Sequence, residues 1–211
     1  MNTDLLCIAG VPKAAMEAAI ARGQGKSATG AVLDALTIEA VMPPSVAMII
    51  DVETDNRNRS MMDLKLLVKN HGGMMSSTSY LFQKKGRITF ERDERDLSVD
   101  EVLDEAIEAG AEDIELDADG NILVWTEPNK TTAAATALQK AMDLKAQSVD
   151  IIWDANEDTK VQMESKGAAN RLMVFIDQLQ DNPNVQGIYA NVAQGALADD
   201  VWENLRDRLD A

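Results

Sequence analysis

The sequence predicts an α+β protein in which a discontinuous ferredoxin-like domain carries a second, smaller α+β domain inserted in its middle. Three observations carry that prediction. Residues 45–94 read as strand, helix, strand, strand, and residues 161–193 supply the helix and strand that complete the ferredoxin-like order. Residues 95–160, between them, show a helix, a hairpin, a helix and a strand of their own. The chain has 211 residues, 45% of them apolar, enough to bury more than one core. Residues 1–44 are expected to be helical, and residues 194–211 to form a C-terminal helix.

Taken in order, "PKAAMEAAIAR" (12–22) has helical character with Pro12 in a first turn, and "GQGKSATG" ends it. "AVLDALTIEA" (31–40) reads as a second, weaker helix leading to "MPPS". "SVAMIIDVET" (45–54) reads as a buried strand. Ser60 and Asp63 resemble a capping box, and Met61, Leu64, Leu67 and Val68 give the following helix an apolar face before "HGG" stops it. "TSYLFQ" and "RITFE" are predicted strands joined at "KKG", with Gly86 at a hairpin tip and Tyr80, Phe82 and Phe90 directed to a core.

"SVDEVLDEAIEAG" (98–110) carries a helical stripe of Val99, Val102, Leu103, Ala106 and Ile107. "EDIELDADGNILVWTE" (112–127) reads as a hairpin turned at Asp119-Gly120. "TTAAATALQKAMDL" follows as a helix and "QSVDIIWD" as a strand. "AANRLMVFIDQLQ" is a helix, "NVQGIYANV" a strand, and "ALADDVWENLRDRLD" an amphipathic helix with Val201, Trp202, Leu205 and Leu209 inward.

The formal net charge of -16 is unevenly spread. Residues 56–92 hold 8 basic and 2 acidic side chains, whereas residues 93–120 hold 1 and 13. Such segregation suits one surface to polyanions and another to their exclusion. No apolar run is long enough to cross a bilayer, so a soluble protein without membrane partners is expected. The one cysteine, Cys7, excludes an intramolecular disulfide, and one histidine, His71, excludes a multi-histidine metal site. "GQGKS" ends like a phosphate loop, but Ile20 stands where the leading glycine is needed and a helix stands where the strand is needed. "DADGN" has its glycine too early for a calcium loop. No activated nucleophile can be named, so neither an enzyme nor a cofactor is expected.

The basic segment is the remaining candidate. Asn56, Arg57, Asn58 and Arg59 lie between the first strand and its helix, Lys65 and Lys69 fall at i and i+4 on the helix, and Lys84, Lys85 and Arg87 cluster at the predicted hairpin. Together they could form a discontinuous surface for phosphates. The same side chains could instead tie a loop to local carbonyls and to the acidic domain. Aromatic residues are too few to support a base-stacking platform.

"TDNRNRS", "KNHGG", "SYLFQKKGRITFE", "DEAIEAGAEDIE" and "FIDQLQDNPNVQGIYANV", in that order, resemble the YebC/PmpR family, including its mitochondrial type that activates translation of cytochrome c oxidase subunit I. The resemblance runs from about Val11 to Val192. It makes residues 1–44 the remnant of a helical first domain, followed by two α+β domains, one inserted in the other. The family's basic opening module has no counterpart in the chain, and "AVMPPSV" (40–46) replaces its glycine-rich loop. The resemblance implies that Asn56, Arg57, Asn58 and Arg59 form a functional loop. It further implies a monomeric, ribosome- or RNA-associated translational activator, assisting synthesis of specific, including proline-rich, proteins, with double-stranded DNA and transcriptional regulation as the alternative. "GGMMSSTSYLF" is closest to the family's mitochondrial form, which points to mitochondria, or otherwise to the cytoplasm.

Overall fold

The computed structural model describes Ala21, Gly25 and residues 30–92, 97–117 and 120–210. Cys7, Asp119 and all but Ala21 of the predicted first helix lie outside them. In chain order the elements are β1 (Asp34–Met42), β2 (Val46–Thr54), α1 (Arg57–Asn70), β3 (Met74–Met75), β4 (Phe82–Phe90), α2 (Val99–Ala109), β5 (Ala111–Leu116) and β6 (Ile122–Thr126). They continue with α3 (Thr131–Met142), β7 (Ala146–Ala155), β8 (Val161–Gln162), α4 (Lys166–Gln180), β9 (Val185–Ala190), β10 (Val192–Ala193) and α5 (Asp199–Arg206). The chain is α+β with two four-stranded antiparallel sheets. It divides into an outer unit, ending at Thr78 and resuming over Val161–Leu209, and an inserted unit, Ser79–Lys160.

The outer unit opens with a hairpin. β1 and β2 pair antiparallel from Asp34↔Thr54 to Met42↔Val46, across a loop holding a cis Pro43–Pro44 bond. Asp34 to Ala40 are therefore strand, where the sequence predicts a helix over 31–40. Leu36, Ile38, Ala40 and Met42 alternate inward, and burying every second side chain against a core outweighs the helical preference of alanine and leucine. The sheet order is β3-β1-β2-β9, with a separate parallel pair β8 and β10. Leu64 and Val68 of α1, Leu172, Phe175, Ile176 and Leu179 of α4, and Val201 and Leu205 of α5 join Ile38, Met48, Ile50 and Ile188 in one core. Each such side chain contributes about 1.5–3 kcal/mol by leaving water. Asn191, between β9 and β10, is only 2% exposed. Its Oδ1 accepts the Ala47 N–H at 2.7 Å, and its own N–H donates to Ala47 O at 3.1 Å.

The inserted unit runs β4-α2-β5-β6-α3-β7 with sheet order β5-β6-β4-β7, every neighbouring pair antiparallel. This is the ferredoxin-like arrangement, so that order belongs to the inserted unit and not, as the sequence predicts, to the outer one. The difference traces to residues 79–94, expected in the outer unit. Of these, the described residues 79–92 form no hairpin. β4 is one unbroken central strand, in which Gly86 pairs with Thr126 on one side and Ile151 on the other. Glycine is needed for close approach rather than for a turn: a Cβ at Gly86 would lie 1.8 Å from Thr131 Oγ1 and 2.4 Å from Thr126 Oγ1.

Ile88, Phe90, Val102, Ala106, Ile114, Val124 and Leu138 form the core of this unit. Tyr80, expected inside, is 73% exposed in a short turn of 3-10 helix ahead of β4. Of the α2 stripe, Val102 and Ala106 are buried, whereas Leu103 is 39% and Ile107 59% exposed. Ser98 opens α2, its N–H and hydroxyl both donating to Glu101 Oε2 at 2.9 Å, and Gly110 closes it at φ 93°. At the base of the unit the Asn156 N–H donates to Leu81 O at 2.9 Å, so the chain enters and leaves it side by side.

Candidate nucleic-acid interface

The start of α1 is set by hydrogen bonds that "TDNRNRS" makes within itself. Thr54 ends β2 fully buried, and its Oγ1 accepts from the Asn56 N–H at 3.0 Å and from the Ser60 hydroxyl at 2.8 Å. Asn56 is the N-cap, its Oδ1 accepting the Arg59 N–H at 3.1 Å. The helix thus begins at Arg57, ahead of the predicted Ser60–Asp63 capping box. The asparagine already satisfies an orphan N–H, and Ser60 is a buried strut to Thr54. Arg57, Asn58 and Arg59 are the first turn of a helix and not part of a loop.

That first turn holds no acidic residue, and all three side chains are exposed. Arg57 Nη1 donates to Ala35 O at 3.2 Å, and Arg59 Nη2 lies 3.3 Å from Asp55 Oδ1 with the Arg59 side chain 61% exposed. Each guanidinium has five N–H donors, so these single contacts leave most of the fork turned to solvent. An exposed pair such as Arg59–Asp55 is worth about 0–1 kcal/mol and can be exchanged for a phosphate at little cost. The helix N-terminus adds its own partial positive charge. Further along α1, Lys65 and Lys69 are exposed as predicted. Met62 and Leu66 lie on the outward face with Arg59 and Lys69 at spacings of three and four, and are 69% and 58% exposed. Neither stands out in the sequence as a surface residue. Their signal is the doublets "MM" and "LL", one apolar residue more in each case than a single buried stripe needs.

Lys84, Lys85 and Arg87 belong to the inserted unit, whereas α1 belongs to the outer one. They stand on β4 of the inserted unit, and strand alternation puts Lys84 on the opposite face from Lys85 and Arg87. Lys84 Nζ lies 4.4 Å from the Trp153 ring centroid. Lys85 Nζ makes a 2.6 Å ion pair with Asp154, and Arg87 stands opposite Asp150. All three face carboxylates or an indole within their own sheet, because the segment is a central strand and not a projecting tip. His71 closes α1, with Nε2 3.1 Å from Gln178 Oε1 and its ring 5.3 Å from that of Phe175. A shallow groove lined by Asn70, His71, Asn170, Arg171 and Val174 lies beside it, at the far end of α1 from Arg57. Among the described residues no group of three or more histidine, cysteine or carboxylate side chains is placed to hold a metal, and no helix is long and apolar enough to cross a membrane.

Residues 33–192 match the family described as "TACO1/YebC second and third domain". A relative from Nitrosococcus oceani is 33% identical over 191 residues, 89% of this chain and 74% of its own length. One from Aeromonas salmonicida is 35% identical over 192 residues, 89% of this chain and 72% of its own. One from Mycobacterium sp. (strain KMS) is 36% identical over 184 residues, 86% and 71%. All three are named "Probable transcriptional regulatory protein". The crystal structure of a conserved hypothetical protein from Aquifex aeolicus is similar with a TM-score of 0.65 at 27% identity, over 78% of this chain and 67% of that one.

Proposed function

From the premise that the chain belongs to the TACO1/YebC family, we propose that it is a ribosome- or RNA-associated translational activator whose contact surface is the outward side of α1 from Arg57 to Lys69. The observation carrying this reading is the pair of solvent-directed guanidiniums in an acid-free first helical turn, followed by exposed Lys65 and Lys69 in a chain of net charge -16. Cations concentrated on one helix let an acidic protein meet phosphate while the rest of its surface is repelled. Exposed Met62 and Leu66 add apolar contact between those cations, as the surface of a ribonucleoprotein would accept. The chain acts as a monomer, without catalysis or a bound cofactor. The mitochondrion is its proposed compartment, by the resemblance at "GGMMSSTSYLF".

The second reading, a regulator that binds double-stranded DNA, is favoured by the names of the bacterial relatives. Against it, α1 offers its side and N-terminal turn to a partner, with Met62 and Leu66 where base-reading donors would be needed. The test is Arg57→Ala with Arg59→Ala, assayed by ribosome cosedimentation after DNase and by thermal melting. Both local contacts are exposed, so the melt should shift by less than about 1 kcal/mol while association weakens. Lysine at both positions should restore only part of the binding, since an ammonium cannot reproduce a bidentate contact. Full association of the double variant removes α1 as the contact surface, and association abolished by DNase but not RNase transfers the reading to DNA.

A further inference from the structure

The groove at the C-terminal end of α1 lies wholly in the outer unit, about 20 Å along the helix from Arg57. Its volume is about 350 Å³, at the small end of ligand sites, which run from about 300 to 1,000 Å³. Two elements line it. α1 ends in Asn70 and His71, and the second and third turns of α4 bring Asn170, Arg171 and Val174 alongside. Asn70, Asn170 and Arg171 are exposed, and among the described residues their side chains have no hydrogen-bond or ion-pair partner. His71 is held in place by Gln178 and Phe175, and Val174, 51% exposed, adds an apolar surface.

The groove departs from the charge of the chain around it. None of its lining residues is a carboxylate, although the chain has 36. Along α4 the first acidic residue is Asp177, which Arg208 Nε holds at 2.7 Å, and the helix opens with Lys166. On α1 the nearest is Asp63, two turns before Asn70. A free guanidinium beside two free carboxamides and an imidazole matches a phosphate joined to a base. The guanidinium takes two phosphate oxygens in parallel, a carboxamide pairs with the edge of adenine, and an imidazole stacks on an unpaired base. A carboxylate ligand would engage Arg171 and leave both carboxamides idle. We infer that the groove holds one unpaired adenine nucleotide, with its phosphate on Arg171, its base edge on Asn70 or Asn170 and its base face on His71 and Val174. This deepens the proposed association with RNA and rests on that reading for the source of the nucleotide, a single strand. Free adenosine monophosphate carries the same groups.

His71 is the only histidine, so its ring protons report the groove without overlap. The probes, titrated against the full chain, are adenosine monophosphate, followed by NMR, and a fluorescent RNA tetra-adenylate, followed by NMR and anisotropy. Both should move the His71 signals. Adenosine and ribose phosphate, each lacking half of the ligand, should bind at least about tenfold more weakly than the monophosphate. Arg171→Ala alters an exposed side chain without partners, so the melt should stay in place while both affinities fall at least about tenfold. Arg171→Lys should recover only part of the loss. Asn70→Ala with Asn170→Ala should erase the preference for adenosine monophosphate over uridine monophosphate. Tetra-adenylate binding more tightly than the monophosphate gives the groove to a strand, and equal affinity gives it to the free nucleotide. Arg57→Ala with Arg59→Ala should leave the His71 shift by the monophosphate unchanged, so the first turn of α1 can fail as a contact surface without the groove failing with it. His71 signals that stay still at millimolar monophosphate, or affinity untouched by Arg171→Ala, overturn the inference.

Discussion

Replacing Gly86 with alanine should destabilise the inserted unit and leave the outer one nearly as it is. The added methyl would lie 1.8 Å from Thr131 Oγ1, 2.7 Å from Thr131 Cγ2 and 2.4 Å from Thr126 Oγ1. Neither threonine has room to yield. They are 2% and 0% exposed, their hydroxyls are bonded to each other at 3.0 Å, and Thr131 Oγ1 lies within 3.2 Å of two carbonyl oxygens, those of Glu127 and Pro128. Rotating Thr131 would break a buried hydrogen bond, about 1 kcal/mol, and shifting the start of α3 adds overpacking of about 1–3 kcal/mol. A loss of about 2–4 kcal/mol corresponds to a fall in melting temperature on the order of 10–20 °C for a unit of this size. Calorimetry would follow the two units, and fluorescence of Trp125 and Trp153 in the inserted unit would assign the affected transition. The decisive variant adds Thr131→Ala, which deletes two of the three colliding atoms. Its combination with Gly86→Ala should be more stable than the two separate losses predict, by about 1 kcal/mol or more. Strict additivity, or a cost for Gly86→Ala below about 0.5 kcal/mol, would refute the close approach and restore a surface turn at this glycine.

Two further outcomes follow from hydrogen bonds described above. The Ser98 N–H, and then its hydroxyl, hold the Glu101 carboxyl below its usual value of 4.5. A folded pKa below the unfolded one stabilises at pH above 4.5, and that stabilisation disappears as pH falls through the lowered value. Glu101→Gln should therefore melt lower than the parent at neutral pH and converge with it in acid, as circular dichroism against pH would read; parallel curves would refute the cap. Asn191→Leu should cost the outer unit about 1–3 kcal/mol in urea denaturation, because it leaves the buried Ala47 N–H without its 2.7 Å acceptor. Stability equal to the parent would show that this N–H finds another partner.

What could be read from the sequence followed the strength of the local pattern. The long periodic segments behaved as expected: "AANRLMVFIDQLQ" is α4, "TTAAATALQKAMDL" gives α3, and "SVAMIIDVET" gives β2. The insertion of one α+β unit into another was likewise legible. Two errors share one origin. In "AVLDALTIEA" and "SYLFQKKGRITFE", short-range preferences pointed to a helix and a turn, whereas the fate of each was decided by strand partners outside the segment itself. β1 pairs with a strand across a proline loop, and β4 pairs with β6 from Gly86↔Thr126 to Phe90↔Ile122 and with β7 from Phe82↔Ala155 to Phe90↔Ala146. Tertiary pairing of this kind leaves no trace in a ten-residue window. At the candidate interface the residue types were visible and their grouping was not. Arg57, Arg59, Lys65 and Lys69 share α1, while Lys84, Lys85 and Arg87 sit on a strand in the other unit, a separation no count of cations along the sequence could express.

The hydrogen bond between Asn156 and Leu81 at the base of the inserted unit has a consequence for the order in which the molecule assembles. The outer sheet is complete only when β9 pairs with β2, a partner synthesised far earlier. On the ribosome the inserted unit emerges before β9 does, and nothing outside Ser79–Lys160 is needed for its own strands to pair. Once folded, with its two ends side by side, it turns a long excursion into a short tether and shortens the loop that β9 must close from about 130 residues to about 50. Since each doubling of a loop costs only about 0.6 kcal/mol, the effect on final stability is small. The effect on sequence of events is larger: the inserted unit folds first, and the outer unit, with the cations of α1, reaches its finished form last, on release of the C-terminal segment from the tunnel.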